Sequence, residues 1–192
     1  MNTPAHLIFG AAAFARPDAP RINIAALAGS LAPDLSLYLM VGWHLSVLGT
    51  SPRIVFNELY FSEAWMQVFA IDNSFILWGI LLWVALLLRR KVLAVFAGAG
   101  LLHLAFDFPL HHDDGRPQFW PLTDWIFESP VSYWDPGHHG TLVGALETSV
   151  CLVLLAVLWR RFHGAWTRSL LCAVFALQLA PVVVWAYVFA VA

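Results

Sequence analysis

Long runs of apolar residues dominate the chain, and polar residues are concentrated in the connections between them. Backbone groups in hydrocarbon need internal hydrogen bonds, and no run alternates apolar and polar positions as barrel strands do. The pattern therefore predicts an all-α integral membrane protein with about five membrane-associated helices. The runs cover residues 4–15, 24–48, 75–88, 92–108, 142–159 and 169–192.

The lengths of these runs predict how each helix meets the bilayer. Residues 169–192 contain no charged residue and are long enough to span, with a kink expected at Pro181. Residues 4–15 are too short to cross, so the first helix is expected to be short or re-entrant. Residues 24–48 are expected to form a helix that breaks at Pro33 and Asp34.

The runs assemble into a single predicted membrane domain that covers residues 1–192. Residues 75–88 and 92–108 flank the basic turn Arg89-Arg90-Lys91, which predicts a helical hairpin. The connection after this hairpin is long for a compact protein, and long ordered loops are often functional. The expected parts are a short helix plus a broken helix (1–48), the hairpin (75–108), an ordered outer loop (109–140) and a C-terminal helical pair (142–192).

Composition supports lipid as the solvent for much of the surface. Hydrophobic residues make up 60% of the chain and charged residues only 11%, against about 25% charged in soluble domains. The mean hydropathy of +0.73 agrees, and a typical water-soluble enzyme is excluded. The net charge of -2 shows no basic excess, so nucleic-acid binding is not expected. Cys151 and Cys172 lack a Cys-x-x-Cys spacing and are expected to be packing residues.

The basic residues predict the orientation of the chain in the membrane. Short loops rich in Lys and Arg face the cytoplasm, so residues 49–73 and 109–140 are expected on the opposite side. In a bacterial inner membrane, that side is the periplasm. Residues 1–15 contain no Lys or Arg, so a cleaved signal peptide is not expected. The basic groups are Arg16 with Arg21, Arg89 to Lys91, and Arg160, Arg161 and Arg168.

His103 and Asp107 are the most informative ionisable residues, because they lie inside an apolar run. A spacing of four places them on one face of a helix, about 6 Å apart, which suits two ligands of one metal ion. Imidazole and carboxylate ligands together favour zinc, manganese or iron over calcium. The alternative is a hydrogen-bonded pair that only holds two helices together.

Other ionisable residues are expected at the same depth as this pair, near the outer ends of the predicted helices. Intramembrane ionisable groups are costly and so are candidates for function. Taken singly, His6 is equally explained as a surface residue, Asp34 as a cap at a helix break and Asp72 as an N-cap. Together they predict one outward-facing pocket, formed by His6, Asp34, Asp72, His103, Asp107 and Glu147.

The outer loop supplies further candidates for metal or substrate binding. Arg116 is a candidate clamp for phosphate or carboxylate, or else a salt-bridge partner of Asp113 or Asp114. The two adjacent histidines near the end of the loop suggest a second metal cluster, although polar surface explains them equally well. The loop candidates are His111, His112, Asp113, Arg116, His138 and His139.

Several short motifs resemble the bacterial membrane-bound metal-dependent hydrolase family. They are Thr3-Pro-Ala-His6, the segment Gly29-Ser-Leu-Ala-Pro-Asp34, Asn73-Ser74 before a helix, His103-x-x-x-Asp107, Gly115 and Trp120-Pro-Leu122. The resemblance covers residues 1 to about 125. It implies a multi-helix membrane protein with a metal site similar in ligand types to zinc-dependent phospholipase C enzymes. The resemblance therefore implies that His6, Asp34, His103 and Asp107 are metal ligands.

The chain departs from the family pattern at two positions. Ser36 stands where the family has a second acid after Pro-Asp, and Asn73 stands where it has a histidine. These departures leave three explanations open: substitution by Asp72, His111 or His112, a site with one metal instead of two, or a site that has lost its metal.

The resulting expectation is a metal-dependent hydrolase that acts on a phosphoester or lipid-like substrate at the outer face of the inner membrane. A divalent metal, preferably zinc, would activate water, and Asp72 or Glu147 would accept the proton of that water. The expected partners are membrane lipid and an amphiphilic small molecule. One alternative is a non-enzymatic protein that binds or transports an ion, a metal or a proton. Another is a structural protein that docks a partner through its Trp-rich outer loop.

Overall fold

The computed structural model describes the backbone of residues 1–191 and the side chains of residues 1–180. No strand occurs within residues 1–191, so the all-α prediction is confirmed. Single helical turns lie at Pro52–Ile54, Val55–Leu59, Phe108–Leu110 and Pro136–His138. The longer helices are α1 (Thr3–Phe14), α2 (Pro20–Ser46), α3 (Glu63–Asp72), α4 (Phe75–Leu87), α5 (Lys91–Asp107), α6 (Gly140–Arg161) and α7 (Ala165–Val191).

Within the described residues, four helical segments are long and apolar enough to cross a bilayer, and one of them begins in residues 49–73, which the sequence pattern assigned to a connection. They are Pro20–Ser46, Glu63–Leu87, Lys91–Leu110 and Gly140–Arg161. Helix α1 has 12 residues and rises about 18 Å, less than the hydrocarbon thickness of about 30 Å. The short first helix is therefore as expected. The predicted kink at Pro181 lies outside the residues whose side chains are described.

Helix α2 is continuous, so the predicted break at Pro33 and Asp34 is wrong. Proline removes one backbone donor from a helix, but neighbouring groups can satisfy the affected turn. The His103 ring donates to the Ser30 carbonyl across 2.7 Å, and the Asn73 amide donates to the Pro33 carbonyl across 3.4 Å. Tertiary hydrogen bonds thus reach two carbonyls of the turn that contains Pro33.

Helix α3 forms within residues 49–73, which the sequence pattern assigned to a connection. Its first turn is capped by Ser62, whose hydroxyl oxygen accepts from the Trp65 amide across 3.4 Å. Asp72 is the last residue of α3, so the expectation that it caps the next helix is also wrong. Ser74 is the N-cap of α4 and accepts from the Leu77 amide across 3.0 Å.

Small residues allow α2 and α5 to pack closely, which is typical of membrane helices. A side chain at Gly29 would collide with the backbone of Phe96. On the other side of the bundle, α1 packs against α6 through Ala5, Ile8 and Cys151. Cys151 is thus a packing residue as predicted, whereas Cys172 is exposed on α7.

The helix directions bring three segments together at one end of the bundle. We call this the loop end, because residues 108–139 cover it. Helix α1 begins there and α5 ends there at Asp107, while α2 passes through with Asp34 near its midpoint. The candidate site lies where these three helices meet.

Candidate metal centre

Three side chains form a buried cluster at the meeting point of α1 and α5. The Nε2 atom of His6 lies 2.9 Å from Oδ1 of Asp107, and Nε2 of His103 lies 3.1 Å from Oδ2 of the same carboxylate. The two imidazole rings stack with centroids 3.6 Å apart. One ligand atom from each residue lies within 4.8 Å of the others, so the group has the dimensions of a metal site.

Asp34 of α2 stands at the edge of this cluster. Its Oδ1 atom lies 3.7 Å from Nε2 of His103. Its Oδ2 atom accepts a hydrogen bond from the Thr3 hydroxyl across 2.5 Å, and the Tyr38 hydroxyl donates to Thr3 across 2.7 Å. The structure therefore brings together the four side chains for which metal ligation was expected, and Thr3 and Tyr38 orient the fourth.

The orientation of the His103 ring is fixed by its other nitrogen. A backbone carbonyl only accepts, so Nδ1 of His103 must carry the proton that it donates to Ser30 across 2.7 Å. In a neutral imidazole, Nε2 then presents a lone pair to the carboxylates of Asp107 and Asp34. This buried nitrogen has no hydrogen-bond partner among the described residues. A lone pair facing carboxylates is repulsive unless a proton or a cation lies between them.

The residues of the cluster fit a single small metal ion. Tetrahedral ligands bonded at about 2.0–2.1 Å lie about 3.3 Å from one another. The observed separations of 2.9 Å and 3.1 Å between histidine nitrogens and Asp107 oxygens are close to that spacing. A backbone carbonyl that holds the second ring nitrogen is also typical of metal-binding histidines.

His111 and Asp114 extend the cluster towards the loop. Nε2 of His111 lies 3.5 Å from Oδ2 of Asp107, and its Nδ1 lies 2.9 Å from Oδ1 of Asp114. Burial alone lowers the pKa of His111, but the charge of Asp107 and the contacts with both carboxylates raise it above its ordinary value. Burial raises the pKa of Asp114, yet His111 and Trp134 outweigh that effect and hold it below its usual value.

Arg116 is buried beside Asp34. It donates to Oδ1 of Asn73 across 2.8 Å and lies 3.7 Å from Oδ1 of Asp34. Burial alone lowers the pKa of Arg116, but Tyr60 and Asp34 raise it above its ordinary value, so the guanidinium is charged. The expected alternative of a salt bridge to Asp113 or Asp114 is not what the structure shows.

A cavity of about 450 Å³ opens beside the cluster and connects these groups. A volume of this size is typical of small-molecule sites. Its polar wall contains Asp34, Asp107, His111, Asp113, Asp114 and Arg116. The remainder consists of Met1, Asn2, Thr3, Leu37, Tyr38, Phe56, Asn57, Tyr60, Phe61, Tyr133 and Trp134.

Neither expected proton acceptor lines this cavity. The neighbour of Asp72, Asn73, is buried and faces Arg116 instead, because successive helix residues point in directions about 100° apart. Glu147 is buried elsewhere, where it accepts from Asn2 across 2.8 Å and from Gln178 across 2.5 Å. Glu147 therefore holds the start of α1 against α6 and α7.

The remaining histidine candidates lie in the loop, outside the cavity lining. The rings of His112 and His138 stack with centroids 3.5 Å apart. His112 donates to the Ser129 carbonyl across 2.7 Å, and Nδ1 of His138 lies 2.5 Å from Asp135. His139 is exposed immediately before α6. These contacts stabilise the loop and do not reach the buried cluster.

Four residues of the site were not among the sequence-based candidates. Thr3 carried a signal, because it belongs to the Thr3-Pro-Ala-His6 motif. Asp114 also carried one, because it follows His111 and His112 in a polar run, whereas Tyr38 and Tyr60 carried none, because their roles depend on contacts between distant parts of the chain. Comparison with known proteins finds no matching family, curated protein or solved structure. Any conclusion about function therefore rests on the geometry of the cluster and the cavity.

Proposed function

We propose that the chain is a membrane-bound, metal-dependent hydrolase that acts on a phosphoester or lipid-like substrate at the loop end of the bundle. The observation that carries this proposal is the orientation of His103. Its Nδ1 atom is committed to the Ser30 carbonyl, and its Nε2 atom faces Asp107 and Asp34 without a hydrogen bond from the described residues. A divalent cation between these groups would remove the repulsion between them.

His6, His103 and Asp107 would hold the metal, with Asp34 as a fourth ligand. Nitrogen and carboxylate ligands suit zinc, and manganese or iron are also compatible. When bound, such an ion lowers the pKa of water towards 7 and polarises a phosphoryl oxygen. This chemistry is the basis of hydrolysis in the proposal.

The residues around the cavity would bind the substrate and move its protons. With Asp72 and Glu147 outside the cavity, Asp114 and His111 form the acid–base pair nearest to the cluster. The carboxylate of Asp114 would accept the proton of the attacking water, with His111 beside it to stabilise the charge. Arg116 would hold an anionic oxygen of the substrate.

Asn73 and Arg116 support a site with one metal ion. The Asn73 side chain donates to the carbonyls of Pro33 and Phe69 and accepts from Arg116, so it does not face the cluster as a ligand. The positive charge of Arg116 lies 3.7 Å from Asp34 and would repel a second cation bound to that carboxylate. A permanent guanidinium there disfavours a second metal.

The proposed location is the bacterial inner membrane, with the loop end facing the periplasm. The support is the basic residues of the helix connections at the opposite end, including Arg21 and Lys91. Thr123→Cys and Lys91→Cys, each in a Cys172→Ser background that keeps only the buried Cys151, test this orientation. An impermeant maleimide added to intact cells with a permeable outer membrane should label only the cysteine at position 123. Labelling of the cysteine at position 91 alone would show that the chain has the opposite orientation.

A second candidate function is a non-enzymatic path for protons or ions. The supporting observation is a chain of contacts from His103 through Asp107 and His111 to Asp114, with separations of 3.1, 3.5 and 2.9 Å. Buried histidine and carboxylate chains of this kind also form relays in transporters. Such a protein would show flux in reconstituted vesicles and no reaction product.

Metal content is the decisive measurement for the hydrolase proposal. The protein is purified in mild detergent, and bound metals are quantified by elemental mass spectrometry for the wild type, His103→Ala, Asp107→Ala and His139→Ala. We expect near-stoichiometric metal in the wild type and in His139→Ala, and loss of metal in the other two. Hydrolysis of phosphoesters should be retained in the variants that keep the metal and lost in those that do not. A wild-type protein that stays metal-free after zinc or manganese is supplied would overturn the proposal.

A further inference from the structure

The cavity beside the cluster is amphipathic. Part of its lining is charged and includes Asp34, Asp107 and Arg116. Another part is apolar and includes Leu37, Phe56 and Phe61. A ligand that contacts both parts needs a charged head and an apolar chain.

Arg116 selects an anionic head. It is the only Lys or Arg among the described residues that line the cavity, and its side chain is 7% exposed. Its Nε atom has no hydrogen-bond partner in the described part of the chain, although one terminal nitrogen binds Asn73. A guanidinium with free donors matches phosphate oxygens, and the cation proposed for the cluster would offset the negative charge of the cavity's acids.

Aromatic residues that line the cavity are also exposed at the surface of the bundle. Tyr38 is 51% exposed, Phe56 48% and Phe61 50%. Leu35 and Leu39, next to Tyr38 on the same membrane-spanning helix, are also exposed. Exposed apolar side chains beside a cavity on a membrane helix favour a ligand that arrives from the bilayer. A polar solute that arrives from water makes no favourable contact with such side chains.

We propose that the site takes a phosphate monoester of a long-chain alcohol directly from the bilayer, an inference that rests on the proposed function. The phosphate would lie between Arg116 and the metal cluster, and the chain would follow Leu37 and Phe61 and leave beside Tyr38. A cavity of about 450 Å³ holds the head and the first part of the chain, while the rest stays in lipid.

Hydrolysis forms a bond between water oxygen and phosphorus and breaks the bond from phosphorus to the alkoxy oxygen. The alkoxy oxygen takes up a proton, so the products are inorganic phosphate and the neutral alcohol.

Binding of dodecyl phosphate to the zinc-loaded protein tests this inference independently of turnover. Native mass spectrometry in excess dodecyl maltoside measures one-to-one binding, and this detergent competes for any site that needs only an alkyl chain. We expect dodecyl phosphate to bind at least tenfold more tightly than inorganic phosphate. Phe56→Ala and Phe61→Ala should each weaken the binding of dodecyl phosphate about tenfold and leave the affinity for inorganic phosphate unchanged. Leu122→Ala, at an exposed loop position outside the cavity, should change neither affinity.

The outcomes separate the two proposals. Equal affinities for dodecyl phosphate and inorganic phosphate, or unchanged dodecyl phosphate binding in both phenylalanine variants, would overturn lipid access and leave the hydrolase proposal standing. Tight, chain-dependent binding without release of phosphate would support the ligand class and contradict hydrolysis. Gel filtration of each variant confirms that a change in affinity does not come from misfolding.

Discussion

The imidazole of His103 on α5 donates to the backbone carbonyl of Ser30 on α2 across 2.7 Å. This bond joins the two most extensively packed helices of the bundle, at the turn that precedes Pro33. It stabilises a turn that contains a proline, and it directs Nε2 of His103 towards Asp107. Helix packing and the geometry of the candidate metal centre therefore depend on the same contact.

Gly29→Ala should damage both the packing and the metal centre. A methyl group at Gly29 would collide with the backbone of Phe96 and push α2 away from α5, and overpacking of this kind costs about 1–3 kcal/mol. We expect a lower unfolding temperature in detergent and reduced metal content. Gly42→Ala is the matched control, because nothing lies within 4 Å of an added methyl group there. Its stability should rise by up to about 1 kcal/mol. Equal stability and metal content in Gly29→Ala and wild type would refute the role of this close approach.

Thr3→Val should weaken metal binding without removing a ligand. The Thr3 hydroxyl donates to Oδ2 of Asp34 across 2.5 Å, and loss of such an orienting bond typically costs 10-fold to 100-fold in metal affinity. Thr3→Ser keeps the hydroxyl and should retain most of the affinity. Competition with a zinc chelator measures the difference. Identical zinc affinities for the two variants would show that Asp34 is not positioned by Thr3.

Asn73→Ala and Asp72→Ala should differ although the residues are adjacent. Removal of the Asn73 amide leaves Arg116 without its closest acceptor and should cost about 1–3 kcal/mol of stability. Asp72 is the last residue of α3, where a negative charge is unfavourable, so its removal should change stability by less than about 0.5 kcal/mol. Unfolding in detergent and phosphate release measure both effects. Loss of hydrolysis in Asp72→Ala, with stability unchanged, would show that Asp72 takes part in the reaction and would contradict its exclusion from the site.

Glu147→Ala should loosen the start of α1 and thereby the position of His6. Glu147 is buried and accepts hydrogen bonds from Asn2 and Gln178, whose donors would be left unsatisfied at a cost of about 1–3 kcal/mol. We expect a lower unfolding temperature, weaker zinc binding and faster proteolysis near the N-terminus. The control is Glu128→Ala, since the Glu128 side chain is 70% exposed. Zinc affinity and proteolysis of Glu147→Ala that match this control would rule out an anchoring role.

The sequence by itself determined the elements that depend on local physics. Backbone groups in hydrocarbon must bond internally, so the apolar runs predicted α2, α4, α5 and α6 to within a few residues of their observed bounds, whereas α3 was assigned to a connection. The hairpin of α4 and α5 around its basic turn followed in the same way. The spacing of four between His103 and Asp107 placed both side chains on one helix face without any tertiary information.

Only the tertiary structure decided what depends on contacts between distant segments. Pro33 lies inside a continuous helix, and carbonyls of its turn accept hydrogen bonds from His103 and Asn73, neither of which is near Pro33 in sequence. The choice between adjacent polar residues is also tertiary. Asn73 rather than Asp72 contacts Arg116, and Asp114 rather than Asp113 contacts His111. A rotation of about 100° per residue separates helix neighbours, and a loop has no period from which direction can be inferred. Residue type therefore predicted which kinds of side chain form the site, and tertiary packing decided which of two neighbouring polar residues belongs to it.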